Sequence, residues 1–317
     1  MQGTATWLGR RARPKAERQG VLREMVVRGI AELLSYLAIK AKVIIDTTGD
    51  ADLIARAGAP CDTEADARDI HACINTAFLL AGIDMERWLQ FKTGDKQGFS
   101  DFMARGREAV GFFEKPFVSW RNDIALFMGP RLAGYSALNV EDLTEIEFRS
   151  REFTQAHLEF YRTHAPGFQN AFLMLGAPQV GVRHSRRMSG VNKVTREQWD
   201  EGTVWDDEIG VSTSLSPAFA NISVPYGALV PAELDGILGA GRHIACDTSS
   251  HSFLREIPQC WLSGHAAGVA GALAANAGIL PRHVDPQAIQ RELLRQGAYL
   301  SPSVEAAALA GRSQAAE

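Results

Sequence analysis

Hydrophobic and polar positions follow several different rhythms along this chain, and each rhythm predicts a different element. A β-branched run, Val43-Ile44-Ile45, stops at Asp46 and opens into Thr47-Thr48-Gly49-Asp50, with Asp52 just beyond. Such a pattern predicts a buried strand that delivers a polar, glycine-relieved turn to a ligand at its carboxyl end. Upstream, "VLREMVVRGIAELLSYLAIKAK" can place Leu33, Leu34 and Leu37 on one helical face or fill two strands. Strands are favoured, because the segment feeds the strand at 43–45.

Residues 65–90 predict a helix broken near Gly82, and a long helix follows through "VEDLTEIEFRSREFTQAHLEFYRTH". Asp142 or Thr144 could cap that helix, and Pro166-Gly167 stops it. Between the two, "FKTGDKQGFSDFMARGREAVGFFEKPFVSW" is rich in glycine and aromatics and predicts surface elements over a cleft. From 170 to 235 the pattern shortens into strands joined by turns, among them "AFLMLGAP", "VGVRHSRRMSG", "GVSTSLS" and "ISVPYGALVP". A strand at "GILGAG", a polar loop, a small-residue helix and a polar helix near 286–296 complete the pattern, and "GRSQAAE" at the end reads as frayed.

Composition narrows the class. With 317 residues, 46% hydrophobic and 22% charged, the chain is an ordinary globular protein of one or two domains. A formal net charge of -4 gives no global field for nucleic acid. The basic cluster at 10–18 reads as a solvated tail rather than a binding arm. Cysteines at 61, 73, 246 and 260 have no paired spacing, and no secretory signal opens the sequence, so a reducing, cytoplasmic setting is expected. No formal charge lies between Glu256 and Arg282, but Pro258, Gln259, His265 and Asn276 interrupt the stretch. It predicts a buried helix and no membrane span.

Candidate chemistry gathers in three places. Gly239, Gly241 and Arg242 form a second glycine-bearing turn, where Arg242 and Arg255 could meet phosphates or an anionic substrate. The helix after Pro258 offers unsatisfied N–H groups to negative charge, and its small residues suit either a cofactor or tight helix–sheet packing. Arg183, His184, Arg186 and Arg187 form a basic cluster; in one strand Arg183 and Arg187 would share a face and suit a carboxylate, or else pair with acids. His251, in the polar loop, is the best general-base candidate. His71, His157 and His164 read as ordinary helix residues, and no metal-site spacing is present.

The sequence resembles the FAD-dependent oxidoreductases with a glutathione-reductase-type FAD fold, from about residue 30 to 300. "AKVIIDTTGDADLIARAGAP", "HAPGFQNAFLMLGAPQVGVRHSRRMSG" and "GILGAGRHIACDTSSHSFLREIPQCWLSGHAAGVAGALAA" carry the resemblance. It implies an FAD site formed by Thr48, Gly49, Asp50, Asp52, Gly241, Arg242, Arg255, Pro258, Cys260, Gly264 and Gly268. Arg183, Arg187 and His251 then fall toward the substrate as catalytic candidates, with Arg186 beside them. His184 stands where an acidic residue is more usual, and Ser252-Phe253 replaces Gly-Ser.

The family's N-terminal Gly-x-Gly-x-x-Gly has no counterpart in this sequence. The resemblance therefore implies a mixed α/β chain with an incomplete FAD-binding fold: 1–57 a remnant of the FAD-binding domain with the basic tail, 58–224 an inserted substrate or cap domain, and 225–317 the C-terminal FAD-binding part. A partner subunit could supply the missing Rossmann segment, the sequence could start downstream of it, or the segment could be lost. The implied activity is hydride transfer at flavin N5 to or from a small, carboxylate-bearing substrate; the alternative is a noncatalytic subunit of a flavoenzyme complex.

Overall fold

The computed structural model describes residues 25–28, 36–63, 74–111, 113–213 and 221–314. The described residues of 1–64 and 186–317 form one compact unit, and those of 65–185 form another. The basic cluster at 10–18, His71 and Cys73 lie outside the described residues.

The first unit is organised around a parallel pair of strands, Ile44–Asp46 and Ile237–Gly239, in register Ile44↔Ile237, Ile45↔Leu238 and Asp46↔Gly239. Parallel pairing requires a long crossover, and here it includes the whole second unit. The small-residue helix Ile257–Ala277 lies on this pair, where a Cβ on Gly271 would sit 3.4 Å from Ile45 Cδ1. Gly278, at φ 67, closes that helix in the left-handed conformation. The antiparallel strands Glu208–Ser212 and Ile222–Pro225 and the helices Pro286–Arg295 and Pro302–Gln314 complete the layer. The core is mostly aliphatic and small: Ala228, Ala240, Ala245, Ala266, Ala267, Ala270 and Ala274 are all buried. Upstream, Met25–Arg28 and Tyr36–Ile39 are strands paired antiparallel, while Leu33 and Leu34 lie outside the described residues.

The second unit packs helices on antiparallel sheet. A four-stranded sheet runs Phe172–Gly176, Phe78–Ala81, Ile124–Phe127, Phe117–Val118, and a three-stranded one runs Gly181–Val182, Ile74–Asn75, Arg131–Leu132. The helices are Met85–Gly94, Lys96–Val110 and Val140–His164.

Five local expectations are corrected. Within the helix expected over 65–90, residues 74–75 and 78–81 are strands, and helix begins only at Met85, where the Asp84 side chain accepts from Arg87 N. The apolar run before Gly82 is short, and Gly82 turns the chain at φ 77. The long helix is capped by Asn139, which accepts from Glu141 N and Asp142 N, rather than by Asp142 or Thr144. The glycine- and aromatic-rich segment contains the helix Lys96–Val110, whose Phe102 is fully buried, so part of it builds core while Phe117 and Trp120 stay exposed. The "polar loop" holds a short helix, Thr248–Leu254, capped by Asp247, and residues 311–314 continue the last helix.

Candidate functional site

The strand Ile44–Asp46 ends on a carboxylate with zero exposure. Asp46 Oδ1 accepts from Thr48 N (3.0 Å) and Thr48 Oγ1 (2.7 Å), while Oδ2 accepts from Leu53 N and Ile54 N (both 3.0 Å). Thr48 Oγ1 in turn accepts from Asp52 N at 2.9 Å. The first amides of the short helix Asp52–Arg56 are thereby consumed by the chain's own side chains. Those amides are not open to a phosphate. In the sequence Asp46 marks a strand end, and the signal for its role is its place directly before the Thr-Thr-Gly-Asp turn.

Within the turn, Gly49 has φ 83 and Ala51 has φ 52. The positive φ favours glycine at 49, and a Cβ there would displace the guanidinium of Arg242. Arg242 Nη2 donates to Asp50 Oδ1 at 2.7 Å, joining the second turn to the first. Gly241, at φ 102, donates its N–H to Ser263 Oγ (3.0 Å), and Ser263 Oγ donates to the Cys260 carbonyl (3.0 Å). Ser263, unnoticed in the sequence, thus ties the second turn to the start of the small-residue helix.

Pro258 occupies the first turn of that helix, which has no side-chain cap. The Cys260 thiol donates to the Arg255 carbonyl at 3.3 Å. Burial pushes this thiol up, against the pull of Arg242 and Arg255. The Nε atoms of Arg242 and Arg255 are buried without hydrogen-bond partners. Gly264 and Gly268 have nothing within 4 Å of a notional Cβ, leaving an open face one and two turns along. One unit therefore holds every residue expected to bind cofactor, with Thr48, Gly49, Asp50, Asp52, Gly241 and Arg242 linked through the two turns and Arg255, Pro258 and Cys260 at the helix start.

His243, with zero exposure, lies below these turns, and neither ring nitrogen has a hydrogen-bond partner of good geometry. Burial holds its imidazole below the ordinary value; Asp46 and Asp50 raise it and Arg242 lowers it.

The substrate-side expectations fare differently. Arg183 and Arg187 do not share a strand: Gly181–Val182 and Arg187–Met188 are separate strands in different sheets and different compact units. Ser185 bends between them, so the alternation that would align their side chains is broken. Arg187 is 1% exposed and donates from Nη2 to Asp62 Oδ2 at 2.9 Å. A guanidinium so enclosed meets its carboxylate inside the protein. Arg183 Nε donates to Asn75 Oδ1 at 3.3 Å in the second unit. Nearby, Arg131 pairs with Glu114 at 3.0 Å; burial pushes the Glu114 carboxyl up, while Arg131, Lys115 and Arg183 pull it down. His251 is not in a loop: it is 2% exposed within the helix Thr248–Leu254, and its carbonyl accepts from Arg255 N. Arg186 leaves the basic cluster for the first turn, with Nη1 2.7 Å from the Asp50 carbonyl and 2.8 Å from Asp52 Oδ1.

Among the described residues no cluster of metal-binding side chains occurs, and no helix is long and apolar enough to cross a membrane. Comparison with curated proteins and with solved structures finds no match. The family model described as FAD dependent oxidoreductase matches residues 15–214 and 216–293, a span that takes in both turns, the small-residue helix and the whole second unit. With most of its length so matched, this chain belongs to the FAD dependent oxidoreductase family.

Proposed function

We propose that this chain is the catalytic part of an FAD-dependent oxidoreductase acting on a small, carboxylate-bearing organic substrate, with hydride transfer at flavin N5. The observation that carries the reading is the Asp50–Arg242 bridge between two glycine turns, set against an uncapped helix start and the open face at Gly264 and Gly268. These residues fit one flank of a flavin dinucleotide. The unpartnered Nε atoms of Arg242 and Arg255 offer cationic donors, and the bare glycines leave room for a planar group. Bound FAD would supply the two-electron chemistry. Arg242 and Arg255 would hold negative charge, and the helix start would favour it further.

In this reading residues 65–185 serve as the inserted substrate unit, and Arg183 is its carboxylate anchor. Arg187 is assigned to the Asp62 ion pair instead of to substrate, because of its burial. His251, equally buried, is assigned the support of Arg255 through its backbone carbonyl.

A second strand edge favours dependence on a partner. The strand Ile44–Asp46 pairs only with Ile237–Gly239 among the described residues. Parallel sheets are rarely so small, since both faces and edges need cover. A dinucleotide-binding strand added at that edge, from a partner subunit or another segment, would complete the FAD site. Titrating the purified chain with FAD, by quenching of flavin fluorescence, tests both parts. Weak binding alone and tight binding after the partner is added is the expected outcome. Stoichiometric binding by the isolated chain overturns the dependence, and no binding in either state overturns the flavoenzyme reading. Anaerobic stopped-flow reduction with small carboxylate substrates then separates an enzyme from a noncatalytic subunit.

A further inference from the structure

We infer that Arg186 is a positioning residue that sets the shape of the cofactor turn and ties it to the point where the chain re-enters the first unit. The inference rests on the proposed FAD site and adds a residue that the basic cluster had directed toward substrate.

The chain leaves the first unit after Glu64 and returns at Arg186. At this crossing the departing strand Cys61–Asp62 and the returning strand Arg187–Met188 pair antiparallel, Arg187↔Asp62 and Met188↔Cys61. The return is fastened on two further sides: Met188 N donates to the His243 carbonyl at 2.9 Å, and Ser189 N to the Pro60 carbonyl at 3.1 Å. Adjacent residues in extended backbone point to opposite sides. Arg187 therefore takes the departing strand through Asp62, while Arg186 takes the cofactor turn through the Asp50 carbonyl and the Asp52 carboxylate.

The turn needs such a clasp. Gly49 and Ala51 are both left-handed, and Ala51, a residue with a Cβ, holds that conformation against its own preference. Arg242 grips only the Asp50 side chain. Arg186 grips the Asp50 backbone carbonyl, and because a peptide is planar this fixes the orientation of the whole 50–51 unit. On the other side of Ala51, the Asp52 carboxylate is held by the same Nη1, and the Asp52 N–H donates to Thr48 Oγ1.

The test uses the full chain, with its partner where FAD binding requires one, and compares Arg186→Gln, Arg186→Lys and the double variant Arg186→Gln/Ala51→Gly. Glycine accepts φ near 52 without the Cβ penalty, so it should restore what the clasp supplied. Arg186→Gln is expected to speed amide exchange at residues 49–52 by at least tenfold and to weaken FAD binding by a similar factor. Arg186→Lys should recover part of both losses, and the double variant most of the FAD affinity. Unchanged exchange at 49–52 in Arg186→Gln overturns the inference, as does an Ala51→Gly addition that restores nothing. Should Arg186→Gln fail to fold, Asp52→Ala removes one of the two bonds and must show a smaller loss of the same kind; no change there also overturns it. Because the exchange readout needs no flavin, absence of FAD binding in the parent chain would refute the functional reading while leaving the clasp decided on its own.

Discussion

The two compact units solve the packing problem with opposite materials. In the second, Trp88 is surrounded by Phe91, Phe99, Phe102, Tyr161 and Phe168 with ring centroids 5.2 to 5.9 Å away, and Phe113 extends the cluster through Phe160 and Tyr161. In the first, the helix over the central strands is built of alanine and glycine, and Gly239 leaves space that a Cβ would contest with Met188 Sδ. Aromatic rings fill volume and hold helices apart, whereas small residues bring backbones together. The two glycine turns lie in the unit of small residues. There backbone, guanidinium and carboxylate meet at hydrogen-bond distance because little else intervenes.

Their buried histidines repeat the contrast. His157 in the second unit is satisfied at both nitrogens, Nδ1 to the Phe153 carbonyl at 2.7 Å and Nε2 accepting from Glu114 N at 3.2 Å, and it stacks on Phe113. Nδ1 thus carries the proton. His243 has no such partners and sits among charged residues of the candidate site.

The comparison can be broken most forcefully at Trp88. Trp88→Ala should cost about 3–5 kcal/mol, the range for emptying a large aromatic site, because the residue is 1% exposed at the hub of the rings. Hydrogen exchange should show lost protection along 78–81 and 140–164 while 237–239 and 257–277 stay protected. Equal loss in both units would show that the two cores are one cooperative structure. Gly49→Ala comes next, at about 1–3 kcal/mol for a side chain forced into left-handed backbone, with the added displacement of Arg242. Its signature is a fall in FAD affinity of about tenfold or more, larger than its effect on the melting temperature suggests. Unaltered affinity would detach Gly49 from the cofactor site.

Acid gives the smallest effect. Burial holds both His157 and His243 below the ordinary imidazole value. As pH falls through about 6.5 the unfolded chain takes up protons that the folded chain does not, so stability is full above that value and declines below it. For His157 the Phe153 carbonyl opposes the shift, and for His243 Asp46 and Asp50 oppose it while Arg242 adds to it. His243→Leu should therefore flatten the decline in melting temperature between pH 7.5 and 5.5. An unchanged slope would remove His243 from the acid response.

Much of this protein was legible in its residues. The β-branched run into Thr-Thr-Gly-Asp marked a strand and the turn after it, and the uncharged run after Pro258 marked the helix that covers the strand. The residues of the second glycine turn were also in view, because glycine and arginine leave a local signature. In the basic cluster alternation suggests one strand with Arg183 and Arg187 on one face, but the break at Ser185 sends them to separate units, and Arg187 takes the alternative of pairing with an acid. Short apolar runs near 74–81 likewise fit helix and strand equally in one dimension, and sheet partners from 124–127 and 172–176 settled the matter.

By itself, then, the sequence determined which segments are strand, turn or small-residue helix wherever the cause is local: β-branching, glycine at positive φ, a proline in a first helical turn. Only the tertiary structure decided which side chain meets which. Arg186 reaches Asp50 and Asp52 across more than 130 positions of sequence, Arg242 reaches Asp50 across 192, and Arg187 reaches Asp62 across 125. Charge pairing depends on distance in space and on exclusion of water, and neither is encoded in the spacing of residues along the chain.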